Sequence, residues 1–86
     1  MARVTLLLFA AAREAAGTNR DTMEAATVGE VLAIARTRYG RGFTDVLAGS
    51  RVWLDGEEPE AGDATPVPDG AEVAILPPVS GGAGAG

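Results

Sequence analysis

The sequence closes on Val79-Ser80-Gly81-Gly82-Ala83-Gly84-Ala85-Gly86, and the chemistry this segment offers is that of a slim backbone. Four of the chain's twelve glycines fall in the last six positions. Glycine has no side chain to bury and loses the most entropy on ordering, so the segment is expected to be mobile. The seven residues from Ser80 to Gly86 reach up to about 23 Å at roughly 3.3 Å each. That is enough to thread a narrow active site that admits backbone but no bulky side chain. Just before it, Pro77-Pro78 have fixed φ and no amide hydrogen, so the mobile part starts from a stiff exit. A frayed terminus is the plain alternative, and the defined proline base argues against it. The glycine run is not a phosphate loop, because it lacks the Lys and the following helix that such a loop requires.

Side-chain chemistry is sparse. Histidine and cysteine are both absent, which removes the commonest metal ligands, a thiolate nucleophile, any disulfide framework and the usual neutral-pH general base. No bound metal or cofactor is expected. Twelve acids stand against seven bases, all Arg, for a net charge of −5. Nucleic acid is therefore not an expected partner, since binding it needs a basic footprint that displaces counterions. Apolar residues make up 47% and charged residues 22%, a globular balance, and 86 residues fit one domain with a single thin core. Met1-Ala2-Arg3 and the apolar residues 4–12 imitate a secretory signal, but the run is short, Arg13 and Glu14 follow it, and no small-residue cleavage site is set apart. No stretch approaches the roughly 20 apolar residues of a membrane span. The expectation is a soluble, cytoplasmic protein.

The elements that must carry the tail follow from periodicity. Residues 4–9 form a β-branched and leucine-rich run that predicts a buried strand, residues 10–16 a short helix ended by Gly17, and residues 20–25 an edge-like second strand. Thr27-Val28-Gly29-Glu30 has capping-box spacing. Val28, Val31, Leu32, Ile34 and Ala35 then recur at helical spacing until Gly40 and Gly42, which predicts the main helix. A weaker helical turn is expected over residues 43–48. Residues 51–55 alternate as a strand into the Asp55-Gly56 turn, and residues 57–69, with three prolines, read as a winding connection. Residues 72–76 make the last strand, which Pro77-Pro78 ends. This predicts an α+β domain over residues 1–79, a mixed sheet packed on one main helix, followed by a tail over residues 80–86.

The first strand is apolar on both faces, with Val4, Leu6 and Leu8 on one side and Leu7 and Phe9 on the other. The last repeats this, with Val73 and Ile75 against Ala74 and Leu76. One main helix covers only one face. If the two strands are neighbours, Leu7, Phe9, Ala74 and Leu76 form an open apolar patch to which Trp53 adds, and such patches mark protein interfaces. The competing reading is that the long connection shields that face. Glu57, Glu58, Glu60 and Asp63 read as a solvated loop, with steering toward a basic partner as the functional alternative. Arg13-Glu14 is either an ion pair or a partner contact.

Three segments carry a resemblance. Phe9-Ala10-Ala11-Ala12-Arg13-Glu14-Ala15-Ala16-Gly17, Thr27-Val28-Gly29-Glu30-Val31-Leu32 and, above all, the run from Asp69 through Pro77-Pro78-Val79-Ser80-Gly81-Gly82 are similar to the small subunit of molybdopterin synthase and its sulfur-carrier relatives. The resemblance implies a ubiquitin-like β-grasp fold and a carrier without catalytic side chains of its own. It implies a ubiquitin-activating-type adenylyltransferase that spends ATP on the terminal glycine carboxylate, and a sulfur donor protein that converts the adenylate to a thiocarboxylate. The large subunit of molybdopterin synthase would then receive the sulfur for molybdenum cofactor biosynthesis. By position, Gly82 is the acyl residue and Gly81 its slim neighbour. Leu7, Phe9, Trp53, Ala74, Leu76, Pro77, Pro78 and Val79 are the expected partner-binding set.

Two departures stand out. The family's usual chain stops at the glycine pair, whereas Ala83-Gly84-Ala85-Gly86 follow here. A C-terminal peptidase is therefore an expected partner, and Gly86 takes the acyl role if no cleavage occurs. Asp55 replaces the Asn usual before the turn glycine, a benign change because both residues favour turns. The alternatives are a carrier for another route (cysteine, thiamine, tRNA or natural-product thiolation), a modifier joined to target lysines, and a non-covalent binding module.

Overall fold

The computed structural model describes residues 1–78; the expected domain boundary at 79/80 and the tail lie outside the described residues. The signal-like apolar run is β1 (Ala2–Leu8), with alternate residues buried. Helix α1 (Ala10–Ala16) ends at Gly17, whose φ of 78° turns its N–H onto the Arg13 carbonyl at 2.9 Å. After β2 (Arg20–Ala25), helix α2 (Val28–Tyr39) starts at Thr27. The Thr27 Oγ1 accepts from the Glu30 N–H at 3.2 Å, and the Glu30 carboxylate accepts from Ala26 at 2.6 Å, so the reach-back lands one residue before the cap.

Gly40 stops α2, but Gly42 does not act as a stop. It lies in the first turn of α3 (Arg41–Ala48), a full two-turn helix where the sequence promised a weaker turn. The reason is tertiary: Phe43 and Leu47, one helical turn apart, are both buried in the core. Strand β3 (Arg51–Leu54) runs into a two-residue turn with Asp55 and Gly56 at φ of 50° and 84°. Leu54 and Glu57 exchange backbone bonds across it at 2.7 and 3.0 Å. Asp55 does more than tolerate that turn, because its Oδ1 accepts from the Glu72 N–H at 2.9 Å. A 3-10 turn (Gly62–Ala64) interrupts the connection, and β4 (Ala71–Leu76) ends the described secondary structure.

The sheet order is β2-β1-β4-β3, with β1 and β4 parallel at the centre and both edge strands antiparallel to their neighbours. A parallel pair needs a crossover, and α2 and α3 supply it while covering one face. Val4, Leu6, Leu8, Val73 and Ile75 meet Val28, Val31, Ala35 and Phe43 there, all nearly or fully buried. The long connection stays on this helix side. Val28 donates to the Thr65 carbonyl at 2.9 Å, Val67 donates to Ala26 at 3.0 Å, and Val67 is buried in the core. Gly29 admits it closely, since a Cβ there would lie 3.1 Å from both Cβ and O of Asp63. The connection therefore does not shield the opposite face of the sheet.

At the rim, Asp21 ties β2 to the end of α2. Its Oδ2 accepts from Arg38 at 2.8 Å and from the Tyr39 hydroxyl, and Tyr39 packs edge-on to Phe43 with centroids 5.1 Å apart. Burial raises the Asp21 carboxyl, but the hydrogen bonds from Tyr39, Arg38 and the Thr22 N–H outweigh it and hold the group below its ordinary value of 3.8. Burial and the neighbouring carboxylate push the Tyr39 phenol up, so it remains a donor. A carboxyl depressed in the fold contributes stability above its unfolded value, and that contribution is lost as pH falls through the lower folded value. Asp21→Asn is expected to cost about 1.5 kcal/mol at neutral pH, the low end of the range for hydrogen bonds to charged groups because the pair is partly exposed. In paired denaturant melts its deficit against the parent should shrink below pH 3.8; a deficit equal at both ends of the titration would refute the account.

Candidate protein-docking face

The face of the sheet that no described element covers is built row by row from the register. Leu7 lies beside Ala74 on β4, and Ala74 beside Trp53 on β3. One step further along, Leu76 lies beside Arg51, and Phe9 continues the parallel pairing by donating to the Ile75 carbonyl at 3.3 Å. One step the other way, Thr22, Thr5 and Glu72 make a polar row. The apolar patch is thus confined to the end of the sheet at which β4 gives out into Pro77-Pro78. Leu7, Trp53, Ala74, Leu76 and Pro77 are half-buried, Pro78 is exposed, and Phe9 stands 45% exposed. Val79, Gly81, Gly82 and Gly86, the remaining expected site residues, lie outside the described residues.

Phe9 is presented by its backbone. It is the N-cap of α1 without a side-chain cap bond, and its carbonyl accepts from Ala12 at 3.0 Å and Arg13 at 3.3 Å. Ala10 follows with φ of 51°, a left-handed conformation that costs a non-glycine residue about 1–2 kcal/mol. This sharp corner turns the chain off β1 into α1 and leaves the ring of Phe9 against solvent. Two shallow grooves flank the patch, one lined by Leu7, Phe9, Arg13 and Arg20, the other by Arg51, Trp53, Leu76, Pro77 and Pro78.

Arg20 and Arg51 belong to this site, although the sequence reading passed over them. Arg20 closes the Leu7 row on the β2 side and Arg51 stands beside Leu76. No spacing along the chain reveals lateral neighbours, so only the register could identify them. Arg51 pairs with Glu58 at 3.7 Å between two exposed side chains, a contact of little energetic weight. Arg13 and Glu14 are exposed and form no ion pair among the described residues. Glu57, Glu60 and Asp63 are likewise solvent-exposed.

Among the described residues no cluster of acids could hold a metal, no buried side-chain polar atom lacks a partner, and no helix is long and apolar enough to cross a membrane. The apolar patch itself carries no carboxylate, hydroxyl, imidazole or thiol among the described residues. What it can do is bury apolar surface against another protein.

Comparison with known proteins bears on the fold and the family. No curated protein matches the chain significantly. Among solved structures, small archaeal modifier protein 1 from Methanosarcina acetivorans has a TM-score of 0.84 and 30% identity, covering 94% of this chain and 97% of that one. The putative molybdopterin converting factor, subunit 1, from Pyrococcus furiosus has a TM-score of 0.79 at 21% identity, over 92% and 100%. The protein-protein complex of subunits 1 and 2 of molybdopterin-converting factor from Helicobacter pylori 26695 has a TM-score of 0.71 at 23% identity, over 92% and 97%. The last two bear on the fold alone. The domain is a ubiquitin-like β-grasp fold, and with residues 6–82 matching the ThiS family, the chain belongs to that family.

Proposed function

We propose that this chain is a ubiquitin-like sulfur carrier that docks through the Leu7, Phe9, Trp53, Ala74 and Leu76 face and presents the carboxylate of Gly82 to its enzymes. One coincidence carries the reading: the uncovered apolar patch lies at the end of the sheet from which β4 runs on through Pro77-Pro78 to Gly81-Gly82, and the family match ends at Gly82. A partner seated on the patch receives the glycine segment without further search.

The chemistry asks nothing of the carrier's side chains. A carboxylate is a poor electrophile until one oxygen becomes a good leaving group. A ubiquitin-activating-type adenylyltransferase therefore joins the Gly82 carboxylate to the α-phosphate of ATP with release of pyrophosphate. Sulfur from a donor protein then displaces AMP to give the thiocarboxylate. Gly81 beside it offers no steric obstacle in a narrow channel. The proposed acceptor complex is the large subunit of molybdopterin synthase, with the chain as its small subunit, and the ATP requirement fits a cytoplasmic site of action. An amide at Gly82 cannot be adenylated, so whatever follows Gly82 must first be cleaved by a peptidase, unless Gly86 serves as the acyl residue. A second reading, a modifier attached to target lysines, draws support from the 30% identical archaeal modifier protein. The chain contains no Lys, so it cannot build lysine-linked chains on itself.

Phe9→Asp and Leu76→Asp should each change stability by about 1 kcal/mol or less, as surface substitutions do. Each should weaken binding to the activating enzyme by roughly thirtyfold or more, because a hot-spot loss of about 2 kcal/mol or greater is expected for a charge buried in an apolar interface. Unfolding of either variant, read by circular dichroism, would show that the residue belongs to the core.

Intact-mass spectrometry of the protein purified from its own host should find a chain ending at Gly82, part of it heavier by about 16 Da, the difference between sulfur and oxygen in a thiocarboxylate. A chain cut after Gly82 should be thiolated readily by the activating enzyme and the uncut chain poorly, since the reacting carbon would otherwise be displaced by up to about 13 Å at roughly 3.3 Å per residue. Equal rates for the two forms would end the processing idea. Recovery of the chain only as high-mass conjugates would favour the modifier.

A further inference from the structure

A sheet edge is a ready template for a partner strand, and strand addition is a common way for a peptide to be bound. β2 and β3 are the two edges of this sheet. On β2, the Leu8 N–H donates to the Asn19 carbonyl at 3.0 Å. By the alternation of an antiparallel ladder, Asp21, Met23 and Ala25 then exchange bonds with β1, while Arg20, Thr22 and Glu24 turn their N–H and C=O groups outward.

The outward groups of Arg20 and Thr22 are already taken. The Thr18 hydroxyl accepts from the Arg20 N–H at 3.4 Å and donates to the Arg20 carbonyl at 3.0 Å. The Thr22 N–H donates to Asp21 Oδ1 at 2.8 Å, and the Thr22 carbonyl accepts from Arg38 Nη1 at 3.0 Å. Arg38 is held in that position by Asp21 Oδ2 at 2.8 Å, and Asp21 in turn by the Tyr39 hydroxyl. Glu24, the third outward residue, carries a charge that strand addition would have to desolvate. The other edge is only four residues long, and the Asp55-Gly56 turn folds Glu57 back onto Leu54.

We propose that the outer edge of β2 is closed by Thr18, Asp21 and Arg38, so that this chain takes no partner strand there and is read through its open face instead. Asp21 and Arg38 lie on the helix side and Thr18 acts on the backbone of Arg20 at the edge, so the proposal stands whichever acceptor the chain serves.

The test uses the full chain labelled with ¹⁵N and, as probe, a synthetic peptide of its own residues 18–25 at about 1 mM, a concentration that detects weak binding. In the parent, the amides of Arg20, Thr22 and Glu24 should not shift on titration. In the Asp21→Ala/Arg38→Ala double variant the Thr22 amide should exchange with solvent roughly tenfold faster or more, the range for losing a hydrogen bond to a charged group. Leu6 and Val73 should stay protected, and the peptide should now shift the three edge amides. Thr18→Val opens the Arg20 groups while sparing the anchor on α2, and should do the same at Arg20 even if the double variant fails to fold. Peptide binding at β2 of the parent overturns the proposal, as do parental exchange rates at Arg20 and Thr22 in the variants. Faster exchange without any peptide shift in either variant also overturns it, because something other than these side chains would then be closing the edge.

Discussion

The parallel pairing of β1 with β4 is the constraint on which the rest of this domain depends. Two strands separated by most of the chain can lie side by side in the same direction only if the intervening segment crosses from one end of the sheet to the other. The crossover brings α2 and α3 over one face, and the burial of Leu6, Leu8, Val73, Ile75 and Phe43 beneath them offsets the entropy of closing so long a loop. The same pairing aligns the outgoing ends of both strands. Phe9, where β1 turns into α1, therefore stands next to Leu76, where β4 gives way to Pro77-Pro78.

That alignment gives a small, chemically poor chain a directed use. The chain has no His or Cys, and among the described residues no cluster of acids could hold a metal. It offers an apolar patch at the end of the sheet where β4 gives out into Pro77-Pro78. In the proposed carrier role, recognition and presentation are covalently joined in one chain, so the energy of docking can be spent on orienting a backbone carboxylate for another protein's chemistry. Arg20 and Arg51 at the margins of the patch give it a polar rim, the usual surround of an apolar interface centre.

A four-stranded open sheet of this size exposes two edges, and uncontrolled pairing there would compete with docking on the face. Asp21 illustrates how few groups are needed to limit it. One carboxylate accepts from an amide at its own strand's edge, from an arginine that covers the next carbonyl, and from a tyrosine that packs on Phe43. The edge is thus connected to the core through α2. The acidic connection stays on the helix side and leaves the face clear.

The sequence alone determined the order of elements, because the signals for it are local. Thr27 with Glu30, Gly17, Gly40, Asp55-Gly56 and Pro77-Pro78 act within a few residues, and each marks an element boundary or turn in the structure. The alternation in residues 4–8 and 72–76 likewise divides buried from half-buried residues as expected, since a strand's period is fixed by its own backbone. Gly42 misled because a glycine weighs little against two buried side chains, Phe43 and Leu47, whose burial is a tertiary event. Only the tertiary structure could decide that β1 and β4 are neighbours, that the connection runs beside α2 and leaves the face open, that Arg20 and Arg51 flank the patch, and that Arg38 covers the Thr22 carbonyl at the edge of β2. Each of these depends on register between segments far apart in the chain. No local pattern encodes register; it is set by which pairing buries the most apolar surface while satisfying every backbone hydrogen bond.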